Sequence, residues 1–137
     1  MRALTLISAF ALTALAPTAQ ANNLMGEAVV LRALDKVTAK TQDFTVAVGD
    51  SLTYGSLRID VKHCEKRPPE DIPETYTFMQ IFDAKPDGKG GTAESVKVFS
   101  GWMMGSNPAL SALDHGVYDV WVLDCKTKPV PIKDDEF

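Results

Sequence analysis

The sequence predicts a mainly β domain, either a small antiparallel β-barrel or a two-layer β-sandwich, with one short helix. Three observations predict it. Apolar and polar residues alternate with a period of two through most of the chain after residue 21. Clusters of Gly, Pro, Asn and Asp interrupt that alternation at short intervals. One stretch, beginning at Asn107-Pro108, carries helix-start chemistry. A sheet of many short strands must hide its edges, and closure into a barrel or stacking into two layers does so.

Residues 1–21 precede this fold and read as an export signal. Met1-Arg2 supplies positive charge, Ala3 to Ala16 is almost wholly apolar, and Pro17 ends any helix there. Ala19-Gln20-Ala21 fits the small-x-small cleavage rule, which puts the mature start at Asn22. The apolar run is shorter than the ~20 residues of a spanning helix. Residues 22–137 are then a single β-rich domain in the periplasm, with no transmembrane segment and a peripheral C-terminal tail.

The strands follow in order. Val29, Leu31 and Ala33 alternate with Val30, Arg32 and Leu34 in a first strand. Phe44, Val46 and Val48 mark a second, closed by Gly49-Asp50-Ser51. A short strand at Leu52 turns at Tyr54-Gly55 into the clearest one: Leu57, Ile59 and Val61 on one side, Arg58, Asp60 and Lys62 on the other. Residues 65–75, EKRPPEDIPET, hold prolines at 68, 69 and 73 among charges, so they form an extended loop. YTFMQIFDA is apolar on both faces and reads as a central strand, or one between two layers. After the Pro86–Gly91 turn, Val96, Val98 and Phe99 begin a strand that runs into Gly101-Trp102-Met103-Met104. Asn107 as N-cap and Pro108 at the first position open a helix of about two turns, held by Leu110 and Leu113 and ended by Gly116. The last strand alternates Val117, Trp121, Leu123 and Cys125 against Tyr118, Val120 and Val122. The tail TKPVPIKDDEF has two prolines and an acidic end.

Composition narrows the function. At 137 residues the chain supports one domain. With 14 Lys plus Arg against 18 Asp plus Glu it carries a net charge of -4, which opposes binding to a phosphate backbone. No nucleic-acid partner is expected. Cys64 and Cys125 have no CxxC spacing for a metal or a dithiol redox centre, and export to an oxidising compartment favours joining them. Such a bridge stabilises by about 4 kcal/mol on the loop-entropy model.

Catalytic signals are thin. His63 adjoins Cys64, but neighbours on a strand point to opposite faces. His115 sits at the predicted helix end, where an imidazolium complements the dipole. Ser100 and Ser106, with Asp114 and His115 following, have no GxSxG elbow. Asp83, Asp87 and Asp134-Asp135-Glu136 lack metal-loop spacing, and Pro86–Gly91 lacks a phosphate-loop context. No catalytic residue, metal or cofactor is expected. Two segments are better candidates for contact. Phe99, Trp102, Met103 and Met104 cannot all face one thin core, and Trp and Met are enriched at interfaces; their alternative is to plug the end of a barrel, with Met filling gaps. The stiff loop with Arg67, Pro68, Pro69 and Glu70 loses little entropy on binding, with a solvated connection as its alternative. Trp102, Tyr118 and Trp121 are the candidate stacking groups for a saccharide or other small ligand.

From about Leu31 to Cys125 the chain resembles the domain-of-unknown-function 2155 family (DUF2155). The resemblance is carried by Arg32-Ala33-Leu34-Asp35-Lys36, Gly55-Ser56-Leu57, Cys64 with Arg67-Pro68-Pro69-Glu70, Phe99-Ser100-Gly101-Trp102-Met103, Pro108-Ala109-Leu110 and Tyr118-Asp119-Val120-Trp121. It implies exported alphaproteobacterial proteins of the periplasm or envelope, with genes often beside one for an accessory subunit of respiratory complex I. It implies no chemistry. The expectation is a non-catalytic envelope interaction protein that braces an inner-membrane complex, with a small-ligand or saccharide-binding β module as the alternative.

Overall fold

The computed structural model describes residues 22–85 and 94–128. The predicted signal, the Pro86–Gly91 turn and all of the tail after Lys128 lie outside the described residues. Seven strands form the domain: β1 Leu24–Asp35, β2 Lys40–Ala47, β3 Ser51–Tyr54, β4 Leu57–Lys66, β5 Thr75–Lys85, β6 Glu94–Met104 and β7 Tyr118–Thr127.

All the pairings are antiparallel. β1 lies between β2 and β7, while β4, β5 and β6 follow one another with β3 beside β4. The two groups join where Leu24 and Met25 of β1 pair with Lys66 and Glu65 of β4. Directly afterwards β1 leaves β4, and its register against β7 jumps between Gly26 and Ala28. A Cβ at Gly26 would lie 1.9 Å from Cys125 Sγ, so the crossing needs the bare backbone.

The crossing folds the sheet onto itself around one core. Val29, Leu31 and Ala33 from β1, Val46 from β2, and Val120 and Val122 from β7 meet Leu57, Ile59 and Val61 from β4, Met79 and Ile81 from β5 and Met103 from β6. The predicted alternation of β4 is observed: Leu57, Ile59 and Val61 are fully buried, while Arg58 and Lys62 are exposed. The expected bridge is also present: Cys64 of β4 and Cys125 of β7 are joined, with Cα atoms 5.9 Å apart and both residues buried. It ties together two strands that share no ladder.

The barrel expectation is corrected, because the sheet stays open. Its strand path runs from β2 to β6, and no ladder among the described strands joins those ends. The reason lies at β4. β3 occupies Leu57 to Asp60 along one edge, leaving β1 only Glu65 and Lys66 on that same edge. A barrel requires a continuous staggered ladder around its circumference, and a two-residue junction does not provide one.

One local expectation is also corrected. The predicted two-turn α-helix is a 3₁₀ turn of four residues, Pro108–Ser111. Asn107 makes no side-chain cap, and Ala112 is already extended. Leu113 is buried, but Leu110 is 66% exposed and holds nothing in place. In β7, Val120, Val122 and Cys125 are buried, so burial passes from one of the two alternating sets to the other. Val30 and Leu31 of β1 pair with Asp124 and Val122, so Leu123 is an extra residue that reverses the side-chain parity.

Candidate interaction face

β5 is central, as predicted, but its second face is not covered by another layer. Thr77, Met79, Ile81 and Asp83 point inward, while Tyr76, Phe78 and Phe82 are half-buried on the outward side. Cross-strand register lines this outward face in four rows. Arg58, Phe82 and Lys97 form one, and Asp60, Gln80 and Ser100 the next. His63, Phe78 and Trp102 form the third, and Glu65, Tyr76 and Met104 the last. A bulge between Val61 and His63 brings the histidine onto this face.

Hydrogen bonds and ring packing hold the last two rows. Trp102 is 45% exposed, and its ring meets His63 at 5.3 Å and Phe78 at 5.5 Å, both edge to face. His63 Nε2 bonds Glu65 at 3.0 Å, and Asn23 donates to the other carboxylate oxygen at 2.8 Å. The hydrogen bond from His63, and then that from Asn23, hold the Glu65 carboxyl below the ordinary carboxylate value against its partial burial.

The proline loop adjoins this end. Glu74 accepts the Ser106 N–H and, on its other oxygen, the Ser106 hydroxyl. Gly105 N–H donates to Thr75 O at 2.9 Å. Burial pushes the Glu74 carboxyl up, but the Ser106 and Thr75 donors outweigh it and hold the group low. The loop roofs a cleft of about 290 Å³ lined by Arg67, Pro68, Pro69 and Glu74. Two segments far apart in sequence therefore share one end of the molecule.

The structure separates the remaining candidates. Met103 is buried in the core and Phe99 packs against that core, so of the four expected contact residues there only Trp102 and Met104 stand on the outward face. Tyr118 lies elsewhere, edge-on to Tyr54 and stacked on His115. Trp121 borders a separate cleft beside Pro108, Ala109 and Ala112. The three candidate stacking rings do not share one surface.

Sequence reasoning missed the network around Asp83. This nearly buried carboxylate accepts from the Ser56 hydroxyl and lies 3.2 Å from His115 Nε2. The N–H groups of Val117 and Tyr118 donate to His115 Nδ1 at 3.2 and 3.0 Å, so the ring proton sits on Nε2 and points at Asp83. Both nitrogens are engaged in holding the segment before β7, and the histidine is placed as a structural clasp. Parity carried the signal, since Asp83 shares the inward side of β5 with Met79 and Ile81. Ser100 accepts from Gln80, and Ser106 binds Glu74, so neither serine is bonded to His115. His63 and His115 belong to separate networks. Among the described residues, no three potential ligands group to hold a metal ion.

The fold and face define a mainly β domain, joined by one internal disulfide and presenting an aromatic outward surface. The chain belongs to the DUF2155 family, described as uncharacterized protein conserved in bacteria, whose model matches residues 29–125. That span includes both cysteines, the proline loop and Trp102. An uncharacterized protein of Rickettsia prowazekii (strain Madrid E) is 28% identical over 93 residues, 68% of this chain and 57% of the relative. The chain thus covers little more than half the length of that relative. No solved structure matches.

Proposed function

We propose that this is a non-catalytic protein of the periplasm or cell envelope, exported by residues 1–21, that docks onto and braces a membrane protein complex. Its architecture is read as a two-layer β-sandwich, with the Trp102 end of the outward face, the rows of His63, Phe78 and Trp102 and of Glu65, Tyr76 and Met104 beside the proline loop, as the docking surface. Trp102 carries the reading: it stands half-exposed on a rigid strand, wedged by His63 and Phe78, beside a stiff proline loop. Preorganised aromatic anchors of this kind supply most of the energy at protein interfaces. The family's gene neighbourhood favours respiratory complex I as the complex. Among the described residues no helix is long and apolar enough to cross a membrane.

A saccharide module fits less well. The rings around Trp102 meet at 68° and 74°, which makes a notch rather than a flat platform for a sugar face. Notches accept side-chain knobs.

The test is native purification of the C-terminally tagged chain from membranes in mild detergent. A membrane protein is expected to co-purify with the wild type and to fall at least tenfold with Trp102→Ala. The proposal is overturned if the Trp102→Ala variant retains the same partners, or if a glycan fragment quenches Trp102 fluorescence and no partner is found.

A further inference from the structure

The opposite end of the same face has different chemistry. Arg58 lies over the Phe82 ring at 4.5 Å, and Lys97 approaches that ring at 5.6 Å. Both contacts pre-position a cation on an aromatic face. Lys62 projects nearby and is exposed. Among the described residues the carboxylate paired with them is Asp60, which takes Arg58 Nε at 3.1 Å and stands 3.7 Å from Lys62. Lys97 makes no ion pair among the described residues. Among the described residues these three cations share one paired carboxylate, in a chain whose net charge is -4.

We propose that Arg58, Lys62 and Lys97 seat this end of the face on anionic phospholipid headgroups, next to the complex that Trp102 engages. The inference rests on the docking reading for its orientation. The side chains around the cations favour headgroups over an acidic protein. Lysines are depleted from protein interface cores, which are built on apolar anchors, and the anchors of this face lie at the Trp102 end. Between Arg58 and Lys97 lies the half-buried Phe82 ring, over which both cations sit, and beside them stand Thr53 and the polar row of Asp60, Gln80 and Ser100. Cations spread over two strands on a polar surface complement a layer of phosphates. Each basic side chain near such a surface adds about fivefold to partition, an effect screened by salt.

The test is sedimentation with vesicles of phosphatidylcholine alone or mixed with phosphatidylglycerol, using the chain purified from exporting cells. The expected result is preferential partition to the mixed vesicles that declines with salt. Arg58→Gln with Lys97→Gln should cut partition about 25-fold, whereas the exposed Lys40→Gln should leave it unchanged. Equal partition to both vesicle types, or equal loss in both variants, overturns the proposal. So does binding to soluble polyglutamate without binding to mixed vesicles, which would assign the cations to an acidic protein. Release by millimolar inorganic phosphate at constant ionic strength overturns the headgroup assignment in favour of a free-phosphate site. The double variant should still co-purify with the Trp102-dependent partner, so loss of lipid binding alone leaves the docking reading standing. Arg58 and Lys97 are exposed, and the salt dependence of the unmodified chain tests the proposal without any substitution.

Discussion

Glu65 accepts from Asn23 on one oxygen and from His63 on the other, and His63 meets Trp102 edge-on. The orientation of the exposed tryptophan therefore depends on a carboxylate one row away. With its folded value held below the ordinary 4.5, Glu65 contributes stability that is present above 4.5 and is lost as pH falls through the depressed value. The urea midpoint of the wild type is expected to drop as pH falls from about 6 through 4.5 and below, and Glu65→Gln should lower it at pH 6 while flattening that drop. Equal acid dependence in the two proteins would remove Glu65 from the account. Residue identity alone did not show this chain of contacts. Lys62-His63-Cys64 looks like ordinary alternation, and only the bulge after Val61 places His63 and Glu65 on the same side as Arg58 and Asp60.

Elements were legible where period two runs unbroken and where turn chemistry is local. β4 alternates cleanly, and its partner β3 is joined to it through Gly55 at φ +59°. Gly55 has a second task, since a Cβ there would fall 2.2 Å from Tyr118 Oη. Gly55→Ala therefore combines backbone strain with displacement of a packed ring. It is expected to cost about 2–4 kcal/mol, read as a lowered urea midpoint with unchanged slope. A change under about 0.5 kcal/mol would mean that Tyr118 moves freely. Elements were less legible where a single residue breaks the count. Leu123 is the bulge of β7, and no local feature of VYDVWVLDC marks it; the extra residue is imposed by register against β1. Asn107-Pro108 carries genuine helix-start residues, yet the segment is extended again by Ala112 because Leu113 is drawn into the core. Burial of one leucine outweighs the weak propensity of a helix this short.

At the scale of the whole molecule, the Cys64–Cys125 bridge joins β4 to β7 across the fold, between residues 61 apart in sequence. Restricting the unfolded chain by a loop of that size is worth about 4 kcal/mol, a large share of a small domain's stability. Cys64→Ser with Cys125→Ser is expected to lower the unfolding free energy by about 3–5 kcal/mol, measured in urea against the oxidised wild type. Both cysteines are buried, so alkylation after adding reductant should track unfolding rather than precede it. Rapid labelling of the folded protein would contradict the burial. The sequence by itself determined the β class, most strand positions, the proline loop and the pairing of the two cysteines, because alternation and proline act locally and two cysteines have one possible pairing. Only the tertiary structure decided that the sheet stays open, that Met103 turns inward while Trp102 turns outward, and that the loop and the tryptophan share one end. Those outcomes depend on strand register and on which edge of β4 is already occupied, and both are set by pairing between residues distant along the chain.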